Sequence, residues 1–184
     1  VPDQQLPLQI ELARFYESRN RVSDARAVLE QLHAANPKSL GLIQDLEAFY
    51  WRHQLRDRAI SLLERSVPLA NVNYRKQFLF DQAQKLRTLK EYDRAVRLGQ
   101  QLLKENPLDT GYSNFLAGTL AQAGRHSELP PFFTEQLQAV QQSKLSPEEQ
   151  KGRILALRRG MVEAQLVLKD FTAALDQYIE MINT

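Results

Sequence analysis

The side chains able to do chemistry are few and scattered. There are three histidines, His33, His53 and His126, and none has another three or four residues along the chain. A metal site needs two or more convergent ligands, so each reads as a solvated surface histidine. Cysteine is absent, which excludes disulfides, thiolate ligands and cysteine nucleophiles while leaving the compartment open. Aspartate and glutamate are plentiful but spread along polar faces, so no carboxylate pair stands out as acid and base. Phosphate-cradling glycine loops and a Gly-x-Ser-x-Gly elbow are missing. The densest basic cluster is Leu157-Arg158-Arg159-Gly160 with Lys151 and Arg153, read as a solvated helix face or as a contact for an acidic peptide or phosphate. These residues point to a chain without catalysis, metal or cofactor.

One stretch points elsewhere. Ala48-Phe49-Tyr50-Trp51-Arg52 sets three large aromatics in a row. Neighbouring side chains on a helix project about 100° apart, so the three rings cannot share one core. Tyr50 continues a stripe begun by Leu46 and is structural. Phe49 is expected to pack against an adjoining element, and Trp51 to face a binding surface.

Helices must position these residues. The chain has 184 residues, 43% of them hydrophobic and 25% charged, the composition of an ordinary folded protein. Its net charge of +2, from 24 basic and 22 acidic residues, disfavours a dedicated polyanion binder, which must neutralise several phosphates. No apolar run reaches membrane-spanning length. Strand-like alternation is missing, and helical spacing dominates.

The helices repeat. Residues 6–39 and 76–109 share an amphipathic helix, a polar break, a second amphipathic helix opened near Asp-Ala or Asp-x-Ala, and a closing Asn-Pro. The small residue early in the second helix recurs as Ala25, Ala59 and Ala95, 34 and 36 residues apart, with Leu129 another 34 on. Two helices of about 13 residues with short turns fill such a period, and stacked pairs bury a continuous core. Asn36-Pro37 and Asn106-Pro107 stop a helix, because the residue before proline is pushed out of helical geometry.

These positions resemble the tetratricopeptide repeat family. Leu12, Ala13, Tyr16, Ala25, Leu29 and Pro37 match its pattern in the first unit, and Leu46, Tyr50, Ala59 and Leu63 in the second. Ala83, Leu86, Tyr92, Ala95 and Pro107 match in the third, and Leu116, Ala117, Leu120 and Gly124 in the fourth. Phe171, Ala174 and Tyr178 carry a fifth pair. Departures are Glu47 at a position usually small, Pro68 in the last turn of the second unit, and no leading Trp. The resemblance implies an all-α right-handed superhelix of antiparallel helix pairs, a single α-solenoid over 1–184 with pairs near 6–39, 40–73, 74–109, 110–143 and 146–184. The last pairs are expected to be elongated. Ser146-Pro147-Glu148-Glu149 reads as a capping box, and the helix it opens can run to about Leu168, roughly 33 Å at about 1.5 Å per residue.

In this family the first helix of each pair lines a concave face. The resemblance therefore implies a groove formed by Arg14, Gln44, Trp51, Arg52, Phe80, Gln84, Arg87, Asn114, Phe115 and Gln122. Aromatic rings and arginines are the residues that anchor interfaces. The leading expectation is a non-catalytic scaffold that binds a peptide or helix of a protein partner. Family members that grip a chaperone's C-terminal carboxylate use Lys, Asn and Arg at places here held by Ile10, Arg14, Asp45, Gln77 and Asp81, so that docking mode is disfavoured.

Alternatives are a module positioning a catalytic domain outside the segment, a helical-repeat RNA binder, and a spacer that associates end to end. The RNA reading is disfavoured by near-neutral charge, and no nucleic-acid partner is expected. A start at Val1 and a helical-looking Asp176-to-Thr184 end suggest a piece of a longer chain.

Overall fold

The computed structural model describes residues 5–69 and 72–183. Ten α-helices run through them: α1 Gln5–Ser18, α2 Val22–Ala35, α3 Leu40–Arg52, α4 Arg56–Ser66, α5 Val72–Thr88, α6 Tyr92–Glu105, α7 Thr110–Gln122, α8 Leu129–Gln141, α9 Pro147–Val167 and α10 Phe171–Ile182. Among the described residues there is no strand.

Every helix pair turns on the same device. Asn20, Gln54, Lys90, Gly124 and Lys169 hold left-handed backbone, with φ of 58°, 61°, 62°, 73° and 61°. The next residue donates its N–H back across the corner: Arg21 to the Tyr16 carbonyl, Leu55 to Tyr50, Glu91 to Leu86, Arg125 to Leu120, and Asp170 to Gln165, at 2.8 to 2.9 Å. The left-handed residue itself donates to the carbonyl three residues back, Asn20 to Glu17 for example, at 3.0 Å. This is the Schellman closure, which satisfies carbonyls that a helix end leaves without partners. Five residues past each corner lies the small or apolar crossing residue, Ala25, Ala59, Ala95, Leu129 or Ala174, and all five are buried.

The links between pairs are also chemically defined. Asn36 and Asn106 leave helical geometry before their prolines, with φ/ψ of −134°/62° and −141°/79°. Asp109 Oδ1 accepts the Tyr112 N–H at 3.0 Å and caps α7. Ser146 forms the expected capping box with Glu149, and α9 runs to Val167, one residue short of the expected end. The extra length of the last repeats lies in α9, at 21 residues, while α7 and α8 have 13 each. Pro68 sits in a short 3-10 turn, Val67–Leu69, after an 11-residue α4.

The chain divides into two compact units, one ending at Gln82 and one beginning at Ala83. In the first, Ala13, Ala25, Leu29, Ile43, Leu46, Phe49, Ala59, Leu62, Leu63 and Phe78 form the core. In the second, Val96, Leu103, Leu116, Leu120, Leu129, Phe133, Leu137, Met161 and Ala164 do so. Each core is the sum of small crossing residues and the larger side chains packed around them.

Candidate functional site

In the first unit the three aromatics of α3 separate as helical geometry requires. Phe49 is fully buried, its ring 4.5 Å from that of His53. Tyr50 is buried too, and its hydroxyl donates to Glu30 Oε1 at 2.7 Å. Burial, and then the Glu30 carboxylate, push the Tyr50 phenol up to about 12. Trp51 is half-buried and packs against the core of the unit. It sits at the edge of the packing rather than standing clear on an open face.

Arg52 is held from within. Its Nε and Nη2 both donate to the Glu17 carboxylate at 3.0 Å, and His53 Nε2 lies 2.7 Å from the same group. The hydrogen bond from Arg52 pulls the Glu17 carboxyl below its ordinary value, against the opposing effect of burial, with His53 assisting. Arg14 and Arg52 share a hollow of about 80 Å³ between α1 and α3 with Ile10, Glu17 and Asp45. Gln44 is exposed on α3, and Phe80 is half-buried on α5.

The second unit holds a more apolar hollow. A hollow of about 250 Å³ lies between α7 and α9, the first helices of their pairs, with α8 as its floor. Ala117, Phe133, Val140, Ala156, Leu157 and Gly160 give it apolar walls, and Asp109, Asn114 and Arg153 bring polar groups to its lining. The small side chain of Ala156 leaves room in the hollow, and Gly160, four residues on, lies on the same face of α9. A Cβ at Gly160 would fall 2.6 Å from the Phe133 ring, so α8 and α9 approach as closely as the missing side chain permits. Arg153 Nη1 donates to the Leu108 carbonyl at 2.6 Å and ties α9 to the segment before α7.

Of the residues expected in a groove, Asn114 lines this hollow, while Gln84 and Gln122 are exposed. Phe115 is a correction: it is 4% exposed, packed over Gly99, with the Arg87 guanidinium 4.8 Å from its ring centre. Gly99 leaves a slot on α6 that the ring fills, so Phe115 belongs to the packing and Arg87 covers it. The basic cluster divides. Arg158 is mostly buried and donates to Gln177 at 2.8 Å and Glu180 at 3.1 Å, joining α9 to α10, whereas Lys151 and Arg159 are exposed. The histidines also differ from the expectation of free solvation. His53 joins Glu17, and His33 is half-buried with its imidazole pushed down by burial and then by Arg65.

Phe133 and Ala156 were not anticipated in the lining, and Leu157 and Gly160 were read only as part of a basic cluster. The signal available was the spacing Ala156, Gly160, Ala164, small residues at every fourth position of one long helix. Among the described residues no three His, Asp or Glu side chains converge as metal ligands, and no helix is long and apolar enough to cross a membrane.

Five hairpins with identical corners and buried crossing residues define a helical-hairpin repeat protein. Comparison with solved structures makes this specific: the chain has the tetratricopeptide-repeat fold. It is similar to a kinesin light chain protein of Podosopora anserina with nearly identical TPR-like repeats, at TM-score 0.58 and 20% identity over 97% of this chain and 94% of that one. MamA of AMB-1 gives TM-score 0.56 and 20% identity over 94% and 95%. YrrB, described as a TPR protein with an unusual peptide-binding site, gives 0.56 and 15% over 95% and 84%. No family model matches the chain, and no curated protein matches it.

Proposed function

We propose that this protein is a non-catalytic interaction scaffold that takes an apolar segment of a protein partner, a peptide or one face of a helix, into the hollow between α7 and α9. The observation that carries this reading is the hollow's construction. Apolar walls supply desolvation, while Asn114, Asp109 and Arg153 provide the few polar groups that fix orientation. The lining comes from first helices of consecutive pairs, the faces on which repeat folds present ligands. That one structure of this fold is described by its peptide-binding site agrees with the reading.

In the first unit, Arg14, Gln44, Trp51 and Arg52 are proposed as further contacts, with Phe80 and Gln84 on α5, and Arg87 and Gln122 in the second unit. Arg52 and Trp51 would act differently from Asn114. Arg52 must share its guanidinium with Glu17, and truncating Trp51 removes packing as well as contact. A Trp51→Ala, Arg52→Ala double variant is therefore expected to lose stability along with binding, and it is a poor test.

Ala156→Trp is the better one. Ala156 is exposed within the hollow, so an indole there fills the space without entering a core. Proteins captured from the source cell by the parent should be lost to Ala156→Trp, with affinity for an isolated partner falling about tenfold or more. Circular dichroism should be unchanged. An unaltered set of captured proteins with intact helicity overturns the assignment.

A further inference from the structure

We propose that the hollow between α7 and α9 receives a neutral carboxamide, the side chain of a glutamine or asparagine in the partner segment. This rests on the reading of that hollow as a binding site and names the group that enters it.

The observation concerns buried polar side chains, which elsewhere in the chain find partners within the fold. Ser66 and Thr119 turn their hydroxyls to the carbonyls of Leu62 and Phe115, one turn back, each at 2.7 Å. The Gln82 amide donates to Glu64 at 3.2 Å. Ser113 and Gln136 differ. Each is only 7% exposed, yet among the described residues neither side chain makes a hydrogen bond. Gln165 is equally buried, but its unpartnered Oε1 is sealed inside the packing. The polar atoms of Ser113 and Gln136 keep some accessible surface, and both residues line the same hollow. Gln136 also borders the groove between α6 and α8, whereas Ser113 does not.

A buried polar group without a partner costs stability. Two of them on the lining of one hollow call for a ligand that supplies the missing bonds. The two charged side chains of the lining are already engaged, Asp109 with the Tyr112 N–H and Arg153 with the Leu108 carbonyl. The unmet groups are neutral, and an ion set against them would lose its hydration without a counter-charge. They comprise the donors and acceptors of one amide and one hydroxyl. A primary carboxamide matches that set. Its carbonyl and one N–H lie on the same side, so it can exchange two hydrogen bonds with the Gln136 amide and give its second N–H to Ser113 Oγ. A trans backbone amide directs its N–H and C=O opposite ways and can make only one of the paired bonds. The methylene stem of the side chain then lies along the apolar walls at Ala117 and Leu157.

Titration of the protein with N-acetyl-glutamine methylamide, followed by nuclear magnetic resonance, tests this. The Gln136 side-chain NH2 signals and the Ala117 and Leu157 methyl signals should move together. The asparagine analogue, one methylene shorter, shows which of the two side chains reaches the pair. Hydrophobicity alone would rank the methionine analogue, of similar shape, above glutamine; here glutamine should bind about tenfold more tightly. The glutamate analogue should bind more weakly than glutamine. Gln136→Met with Ser113→Ala conserves volume and should keep the parent's circular dichroism. In that variant methionine should overtake glutamine. A parent that prefers methionine, or takes glutamate as tightly as glutamine, overturns the proposal and leaves the apolar hollow standing as a site. A preference for glutamine that survives the double variant overturns it too, as do shifts at Leu103 and Phe132 in place of Ala117 and Leu157. If no analogue moves the Ala117 and Leu157 signals, the proposal and the reading of the hollow fail together.

Discussion

Glu17 illustrates how one carboxylate organises its surroundings. It receives two hydrogen bonds from Arg52 and lies 2.7 Å from His53 Nε2, joining α1 to α3. Its folded pKa is depressed below the ordinary 4.5. The stability it contributes is therefore fully present above pH 4.5 and lost as pH falls through the folded value. Glu17→Gln should cost about 1 kcal/mol at neutral pH, since Arg52 is more than half exposed and solvent weakens the pair. Urea midpoints compared near neutrality and in acid should show the variant losing less on acidification than the parent. Two glycines of α9 give an opposed pair of outcomes. Gly160→Ala drives a methyl into the Phe133 ring and should destabilise by about 1–3 kcal/mol. Gly152→Ala meets nothing and should stabilise by about 0.8 kcal/mol through helix propensity; thermal melts of both distinguish sterics from backbone entropy. Residue roles were partly legible. The separation of Phe49 and Tyr50 follows from the helical angle between neighbours. The inward turn of Phe115 does not, because it depends on the slot at Gly99, sixteen residues earlier and on another helix.

At the scale of elements, the corners are the recurring unit. Only one of the five is glycine; Gln54, Lys90 and Lys169 take left-handed backbone at a steric cost of about 1–2 kcal/mol each. Lys90→Gly relieves this but gives the unfolded chain more freedom, so the net gain should be about 0.5 kcal/mol in a denaturant titration. Gly124→Val should cost more than Lys90→Gly gains, as β-branching worsens the strain. That four corners lack glycine explains why turn chemistry gave little warning of them, whereas Asn36-Pro37, Asn106-Pro107 and the Ser146 capping box were readable directly. The long α9 was legible for the same reason: its start is capped by side chains named in the sequence, and nothing breaks it before Lys169.

For the molecule as a whole, burial is uneven from helix to helix. The α6 helix buries Ala95, Val96, Gly99, Leu102 and Leu103, whereas α10 buries Ala174 alone. In a repeat array stability is a sum of local and nearest-neighbour contributions, so hydrogen exchange should be faster in α10 than in α6. Equal protection in the two helices would contradict this difference. The all-α repeat architecture was legible because a period near 34 recurs in residues whose sizes matter to packing. The hollow between α7 and α9 was not, since it arises from small side chains whose effect depends on three helices at once.

The distance from corner to corner varies, 34, 36, 34 and 45 residues, while the step from corner to crossing residue stays at five. Tolerance of insertion should follow that division. An extra residue in the link at 142–146 lengthens a loop and changes little, while one placed between Lys90 and Ala95 rotates the rest of α6 by about 100° and turns its apolar stripe to water. Lineages descended from such a chain could therefore lengthen their links freely, yet would keep the five-residue step at every corner.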